Sequence, residues 1–145
     1  MKKIIIMLAV AVSSLTAFAG EKNVSATVLN SFNKEFAGAK EVQWTNTNDY
    51  YKAAFVYNGQ NVNAFYQLDG GLIAITRNIS SLELPINLQT NLKNSYSKYW
   101  ISDLFEVSNN EGTSYYITVE NADSKIVLKS SGAGQWNTYK KMAKI

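Results

Sequence analysis

An apolar spacing that occurs twice, 60 residues apart, constrains the fold of this chain more than any other feature. Steps of three and four residues place apolar side chains on one face of a helix. Such steps occur in each half of the sequence: Val28, Phe32 and Phe36 first, then Leu88, Leu92 and Tyr96. Ser25 precedes the first pattern as a helix N-cap, and Leu84-Pro85 precedes the second as a helix start, with Pro85 at the first helical position. The spacing therefore predicts one amphipathic helix at the beginning of each half.

Short segments rich in Tyr, Phe, Val and Ile follow each helix and are predicted to be strands. Asn58-Gly59 and Asp69-Gly70-Gly71 separate some of them and are hairpin signals, because these residues tolerate positive φ. The predicted strands are Glu41–Thr45, Tyr50–Tyr57, Asn61–Leu68, Leu72–Arg77, Ile101–Ser108, Ser114–Asn121, Lys125–Ser130 and Gln135–Lys140. We therefore predict an α+β fold. It consists of two tandem helix-plus-four-stranded antiparallel units, about residues 24–78 and 84–140, with the helices on one face of the sheet or sheets and the other face open.

Alternation along the strands predicts which side chains lie on the open face, since successive residues of a strand point to opposite sides. Lys52 marks the solvated side of its strand, so Ala53, Phe55, Tyr66 and Leu68 are predicted to point toward the helix. Aromatic side chains surrounded by polar groups are typical of protein-binding surfaces. The candidate binding residues on the open face are Tyr50, Lys52, Phe65, Gln67, Tyr116, Thr118, Lys129 and Tyr139.

Residues 1–19 have the layout of a cleaved secretory signal peptide. Lys2 and Lys3 precede the apolar run of residues 4–12, and Ala17-Phe18-Ala19 forms a small-x-small cleavage pattern before Gly20. The apolar run is too short for a stable anchor across a bilayer core of about 30 Å. The chain has no cysteine for lipid attachment. We expect a periplasmic protein that is not a lipoprotein, in which residues 20–145 form a single domain.

Composition argues against several classes of function. The sequence contains no histidine and no cysteine, which removes the Ser-His and Cys-His nucleophile systems and the main ligands of zinc sites. Without Lys2 and Lys3 the 14 basic residues fall to 12, against 11 acidic ones, so there is no electrostatic case for nucleic acid. No sequence motif identifies a pair of carboxylates that could catalyse glycoside hydrolysis. We expect a protein that is not an enzyme and that uses no metal and no cofactor.

Five sequence elements in this order resemble the PepSY-like family of exported, β-lactamase-inhibitor-like proteins: Phe36–Trp44, Tyr51–Phe55, Ala64–Tyr66, Gly70-Gly71 and Leu84-Pro85. The resemblance spans roughly Val24 to Tyr139. It implies tandem helix-plus-four-strand units and a periplasmic location in Gram-negative bacteria. It also implies recognition by a concave, aromatic-rich sheet, as β-lactamase inhibitor proteins use. Those inhibitors carry disulfides, and this chain departs from them because it has no cysteine.

Two functional hypotheses of different kinds follow. The first is a periplasmic binding or inhibitor-type module that recognises a protein or peptide through the open aromatic face. The alternative is a binder of a small molecule or envelope component in a cleft between the two units. The first predicts that Tyr50, Phe65 and Tyr116 are exposed, and the second predicts a deep pocket. A homodimer could also form through an exposed edge strand.

The signal-peptide assignment predicts that the exported protein begins at Gly20. N-terminal sequencing and intact-mass measurement of the protein from the periplasm of a Gram-negative host would check this. Recovery of the chain with Met1 still attached, in the membrane fraction, would show that residues 1–19 are retained.

Overall fold

The computed structural model describes residues 18–19, 23–131 and 134–144. The predicted signal peptide lies outside these residues except for Phe18 and Ala19. By its contacts the chain divides into two compact units, Met1–Arg77 and Asn78–Ile145. Each unit has its own buried core.

The first unit contains one helix, α1, which spans Ala26–Glu35. Its strands are β1 (Phe18–Ala19), β2 (Lys40–Asn46), β3 (Tyr50–Tyr57), β4 (Gln60–Gln67) and β5 (Leu72–Asn78, whose last residue belongs to the second unit). β1 pairs antiparallel with β2, and β2 to β5 pair antiparallel in turn.

The second unit begins with a 3-10 turn, Ser81–Glu83, and the helix α2, Ile86–Ser95. Its strands are β6 (Trp100–Asn109), β7 (Gly112–Glu120), β8 (Ser124–Ser130) and β9 (Asn137–Ala143). These four strands also pair antiparallel in chain order.

The fold class predicted from the sequence is wrong. The prediction was an α+β protein of two helix-plus-four-strand units with the helices on one face. The structure is instead mainly β, with 52% strand and 20% helix, and a single antiparallel sheet carries its strands in chain order. Side-chain alternation identifies a strand and its faces. It does not show which strand edges meet, because pairing uses backbone N–H and C=O groups that nearly all residues share.

Helix α1 begins where the sequence predicts. Ser25 is the N-cap, with extended backbone, and its Oγ accepts a hydrogen bond from the backbone N–H of Val28 at 3.3 Å. This bond satisfies one of the N–H groups that a helix leaves unpaired in its first turn. Helix α2 differs from the prediction in one detail, since Pro85 is the N-cap residue and Ile86 is the first residue of the helix.

An aromatic cluster forms the core of the first unit. Phe32 of α1 lies edge-on to Trp44 of β2 and to Phe55 of β3, with ring centroids 5.1 and 5.0 Å apart, and it also contacts Phe36 at 5.5 Å. Edge-to-face pairs of this kind stabilise by about 0.5–1.5 kcal/mol beyond the area that they bury. Ala53 and Phe55 are buried in this cluster, as the alternation predicts.

The core of the second unit is mostly aliphatic. Leu88 of α2 is fully buried among Leu104, Ile117 and Leu128 of the strands. Trp136 packs against this cluster, and its indole N–H donates to the carbonyl oxygen of Leu88 at 3.0 Å. The side chain of Trp136 therefore links the segment before β9 to α2.

Two predicted turns have the positive φ angles that their residues tolerate. Asn58 and Gly59 both have positive φ, 50° and 76°, as a two-residue hairpin turn requires. Gly70 has φ of 98°, and a Cβ there would lie 2.7 Å from Cγ2 of Thr27 in α1. Only glycine therefore lets the β4–β5 turn pack this closely against the helix.

The predicted orientation of Leu68 is wrong. It was expected to point inward, yet 51% of it is exposed. β4 ends at Gln67, so Leu68 already belongs to the turn and does not continue the alternation of the strand.

The hydroxyl of Tyr66 is expected to lower stability at high pH. Tyr66 is fully buried, and its Oη has no hydrogen-bond partner among the described residues. Burial, and then the charge of Glu35, raise the pKa of Tyr66 above its ordinary value. A raised pKa in the folded state leaves stability intact below the unfolded pKa of about 10 and lowers it above, because the unfolded chain ionises first.

We therefore expect Tyr66→Phe to be neutral or stabilising at neutral pH and to reduce the loss of stability above about pH 10. Denaturant unfolding at both pH values would measure the effect, with Tyr51→Phe, a half-buried tyrosine on the neighbouring strand, as the control. Destabilisation by Tyr66→Phe at neutral pH beyond that of the control would show that the hydroxyl makes a stabilising hydrogen bond.

Candidate functional site

Each unit contains a lysine that lies over an aromatic ring on the adjacent strand. In the first unit Lys52 of β3 is directly opposite Phe65 of β4, and its Nζ is 5.9 Å from the ring centroid. In the second unit Lys129 of β8 is opposite Tyr116 of β7, with Nζ 5.4 Å from the centroid. These are cation–π distances. We name the first patch for Tyr50, Lys52, Phe65 and Gln67, and the second patch for Tyr116, Thr118, Lys129 and Tyr139.

Strand alternation places both patches on the side away from the buried cluster of their own unit. Ala53 and Phe55 belong to the cluster that packs on α1. Tyr50 and Lys52 occupy the alternate positions of the strand, so they point to the other side of β3. Ile117 and Leu128 belong to the cluster that packs on α2, so Tyr116 and Lys129 also point away. Within each unit, these patch residues therefore lie on the side of their strands opposite the buried cluster.

The first patch is a compact group around one buried ring. Tyr50 lies edge-on to Phe65 with centroids 5.9 Å apart and planes at 62°, and Lys52 covers the ring of Phe65. Phe65 is only 2% exposed, whereas Tyr50 and Lys52 are half-buried and Gln67 is exposed. The accessible surface of the first patch is therefore made of Tyr50, Lys52 and Gln67.

The second patch is an aromatic row across three strands. Tyr116 stacks on Phe105 of β6 with centroids 5.3 Å apart and planes at 8°, and Tyr139 of β9 lies edge-on to it at 5.8 Å. Tyr116 and Thr118 are buried, while Lys129 and Tyr139 are half-buried. Phe105 was missed in the sequence, because the irregularity of β6 between Ile101 and Asp103 interrupts the alternation that would have placed it opposite Tyr116.

The predicted exposure of Phe65, Tyr116 and Thr118 is wrong. Side chains opposite each other on neighbouring antiparallel strands lie about 5 Å apart, close enough for long residues to cover their neighbours. Lysine also lays its aliphatic stem along apolar surface and keeps its ammonium group in water. Phe65 and Tyr116 thus lie beneath the surrounding polar residues and contribute almost nothing to the accessible surface.

Burial also changes the ionisation of the patch residues. It lowers the pKa of Lys52, because a partly desolvated ammonium group is stabilised less by water. It raises the pKa of Tyr50, to which the charge of Asp49 adds, and the pKa of Tyr139, where Tyr116 adds and Lys129 opposes. A carboxylate that approached Lys52 would restore part of the electrostatic stabilisation that burial removes.

The described residues include no group of three or more acidic side chains that could hold a metal ion. One threonine and one asparagine near the turns have local roles. Thr47 Oγ1 accepts from the N–H groups of Asp49 and Tyr50, and Asn121 Oδ1 accepts from those of Asp123 and Ser124. These are turn-stabilising bonds.

Solved structures with the same fold come from Bacteroides species. A BLIP-like protein of Bacteroides fragilis aligns with a TM-score of 0.70 and 18% identity over 90% of this chain and 89% of that one. A protein of Bacteroides eggerthii whose name places it in the periplasm aligns with a TM-score of 0.74 and 18% identity, over 83% and 88% of the two chains. A DUF2874 family protein of Bacteroides ovatus aligns with a TM-score of 0.73 and 21% identity, over 83% and 87%.

At these identities the comparisons show a shared BLIP-like fold. No protein-family model matches the sequence, and no curated protein does. Membership of the PepSY-like family therefore stays a prediction. Within the described residues no helix is long and apolar enough to cross a membrane.

The burial pattern predicts unequal effects of alanine substitutions within the two patches. Phe65→Ala and Tyr116→Ala should each lower the free energy of unfolding by about 3–5 kcal/mol, because each removes a buried ring. Gln67→Ala, at an exposed position, should change it by no more than about 0.5 kcal/mol. Denaturant unfolding measures all three. Equal, small effects would mean that the two rings are exposed as the sequence suggested.

Proposed function

We propose that this protein is a periplasmic, non-enzymatic module that binds a protein or peptide partner through its two lysine–aromatic patches. The observation that carries the proposal is the repeated arrangement itself. In both units a half-buried lysine is opposite a buried aromatic ring, Lys52 over Phe65 and Lys129 over Tyr116. Each pair presents an ammonium group whose position is defined by the ring beneath it.

Carboxylate side chains are the chemistry that fits these patches. A lysine donates up to three hydrogen bonds and accepts none. Tyr50 in the first patch and Tyr139 in the second add phenol groups beside the ammonium group, and Gln67 adds an amide. Such mixed aromatic and polar surfaces bind proteins with the aromatic rings as anchors and the charges for specificity. The partner would present aspartate or glutamate next to an apolar side chain.

The comparisons support the class of function and the compartment. One solved neighbour is BLIP-like, which suggests an interaction module, and another has a name that places it in the periplasm. The predicted signal peptide agrees with export. The lack of histidine and cysteine in the sequence favours binding over nucleophilic catalysis.

Site-specific photocrosslinking in living cells would test the proposal. A photoreactive amino acid at Gln67, exposed in the first patch, should capture a periplasmic protein, and one at Asn30, exposed on α1, should not. Lys52→Gln and Lys129→Gln should each weaken capture, by up to about fivefold, and added salt should do the same, because partly exposed ion pairs stabilise by about 0.2–1 kcal/mol.

Lys34→Gln and Lys98→Gln, which remove exposed lysines elsewhere, are the matched controls. All variants must first show wild-type thermal stability. Capture at Gln67 that survives both patch substitutions, or equal capture from Asn30, would contradict the proposal.

A further inference from the structure

A second feature of the second unit, unconnected with the patches, is a pocket of about 260 Å³ between the end of α2 and the beginning of β6. Its wall includes Gln89, Lys93, Tyr96, Ser97, Tyr99 and Ile101. Tyr116, Thr118, Lys129 and Tyr139 do not line it. The volume is just below the range of about 300–1,000 Å³ that is usual for drug-sized ligands, so it suits a molecule with one ring or one branched chain.

Aromatic and aliphatic side chains make up more than half of the described lining of the pocket. Tyr96 and Tyr99 lie edge-on with centroids 5.6 Å apart, and the backbone N–H of Tyr99 donates to the carbonyl oxygen of Tyr96, which holds the turn closed. Both tyrosines pack against the core of the second unit, so their rings are held in place. Ile101 also lines the pocket and is 44% exposed, so part of its apolar side chain is accessible to a ligand.

The polar groups of the pocket differ in their hydrogen-bonding capacity. The amide nitrogen of Gln89 donates to the carbonyl oxygens of Leu82 at 3.2 Å and Leu84 at 2.8 Å. These bonds use both of its hydrogens, so Oε1 remains as an acceptor. Among the described residues that line the pocket, Lys93 is the only charged side chain. The pocket thus combines one cation, one fixed acceptor and an apolar surface.

We infer that this pocket binds a small carboxylic acid with an amine or amide N–H and one apolar side chain, the chemistry of a single apolar amino acid. The carboxylate pairs with the ammonium group of Lys93, and the N–H donates to Oε1 of Gln89. The apolar side chain lies against Tyr96, Tyr99 and Ile101. None of the described lining residues is acidic, which favours an anionic group over a cationic one.

Titration of the ¹⁵N-labelled protein with L-phenylalanine, followed by NMR, tests this inference. Chemical-shift changes should concentrate at Gln89, Lys93 and residues 96–101. L-phenylalanine amide, which lacks the carboxylate, should bind more weakly. N-acetyl-L-phenylalanine keeps the carboxylate and an N–H but has no free amino group, like the C-terminal residue of a peptide. Comparing its binding with that of L-phenylalanine shows whether the ligand is a free amino acid or a peptide C-terminus.

Two pairs of variants at exposed positions separate binding from folding. Ser97→Asp places a negative charge in the pocket and should weaken binding several-fold at low salt, while Ser97→Asn, of nearly the same shape, should retain it. Lys93→Met should weaken binding by about fivefold at low salt, the range for an exposed ion pair, and Lys98→Met, which lies outside the lining, should not.

The inference is overturned if millimolar L-phenylalanine causes no shifts in this region. It is equally overturned if the amide binds as tightly as the acid, or if Ser97→Asp and Ser97→Asn bind alike. Since the patches share no residue with the pocket, these outcomes leave the photocrosslinking result unaffected.

Discussion

Edge-to-face packing of Phe32 against Trp44 and Phe55 holds helix α1 on its strands, and the first unit depends on it. The chain contains no cysteine, so packing must provide the stability that disulfides give many small exported domains. Once Phe55 points toward α1, the pleat of β3 directs Lys52 to the other side. The aromatic core thereby determines the position of the first lysine–aromatic patch, and Leu88 has the corresponding role in the second unit, where it lies against Ile117 and Leu128.

Both sides of the strands are buried to a degree that alternation alone does not suggest. On the side away from the core, Phe65 and Tyr116 are buried, so their rings do not face solvent. Polar and charged groups with aromatic support remain at the surface. This combination favours recognition by fixed hydrogen-bond donors over binding through a flat apolar surface. It also keeps an aromatic-rich sheet from exposing a large apolar patch.

The patches and the pocket of the second unit use different chemistry. The lysines of the patches lie on strands, and the strands have little freedom to rearrange. The patches therefore suit carboxylates on a protein surface. The pocket combines Lys93 with the fixed amide of Gln89 and suits a molecule that enters it as a whole. A ligand in the pocket would cover Ile101, which is otherwise a solvent-exposed aliphatic side chain. The two sites could therefore act independently in one protein.

The sequence by itself determined the local elements: the N-cap at Ser25, the turn at Asn58-Gly59, and the side of each strand on which Phe55 and Lys52 lie. These follow from interactions between residues close in the chain, and their signals are periodicity and turn chemistry. Only the tertiary structure decided the pairing of the strands into one sheet and the burial of Phe65. Pairing depends on backbone groups that carry no sequence signature, and burial depends on side chains that approach from adjacent strands. The pocket around Lys93 could not be predicted from the sequence either. Its residues come from a helix end, a turn and a strand, and only the tertiary structure brings these together.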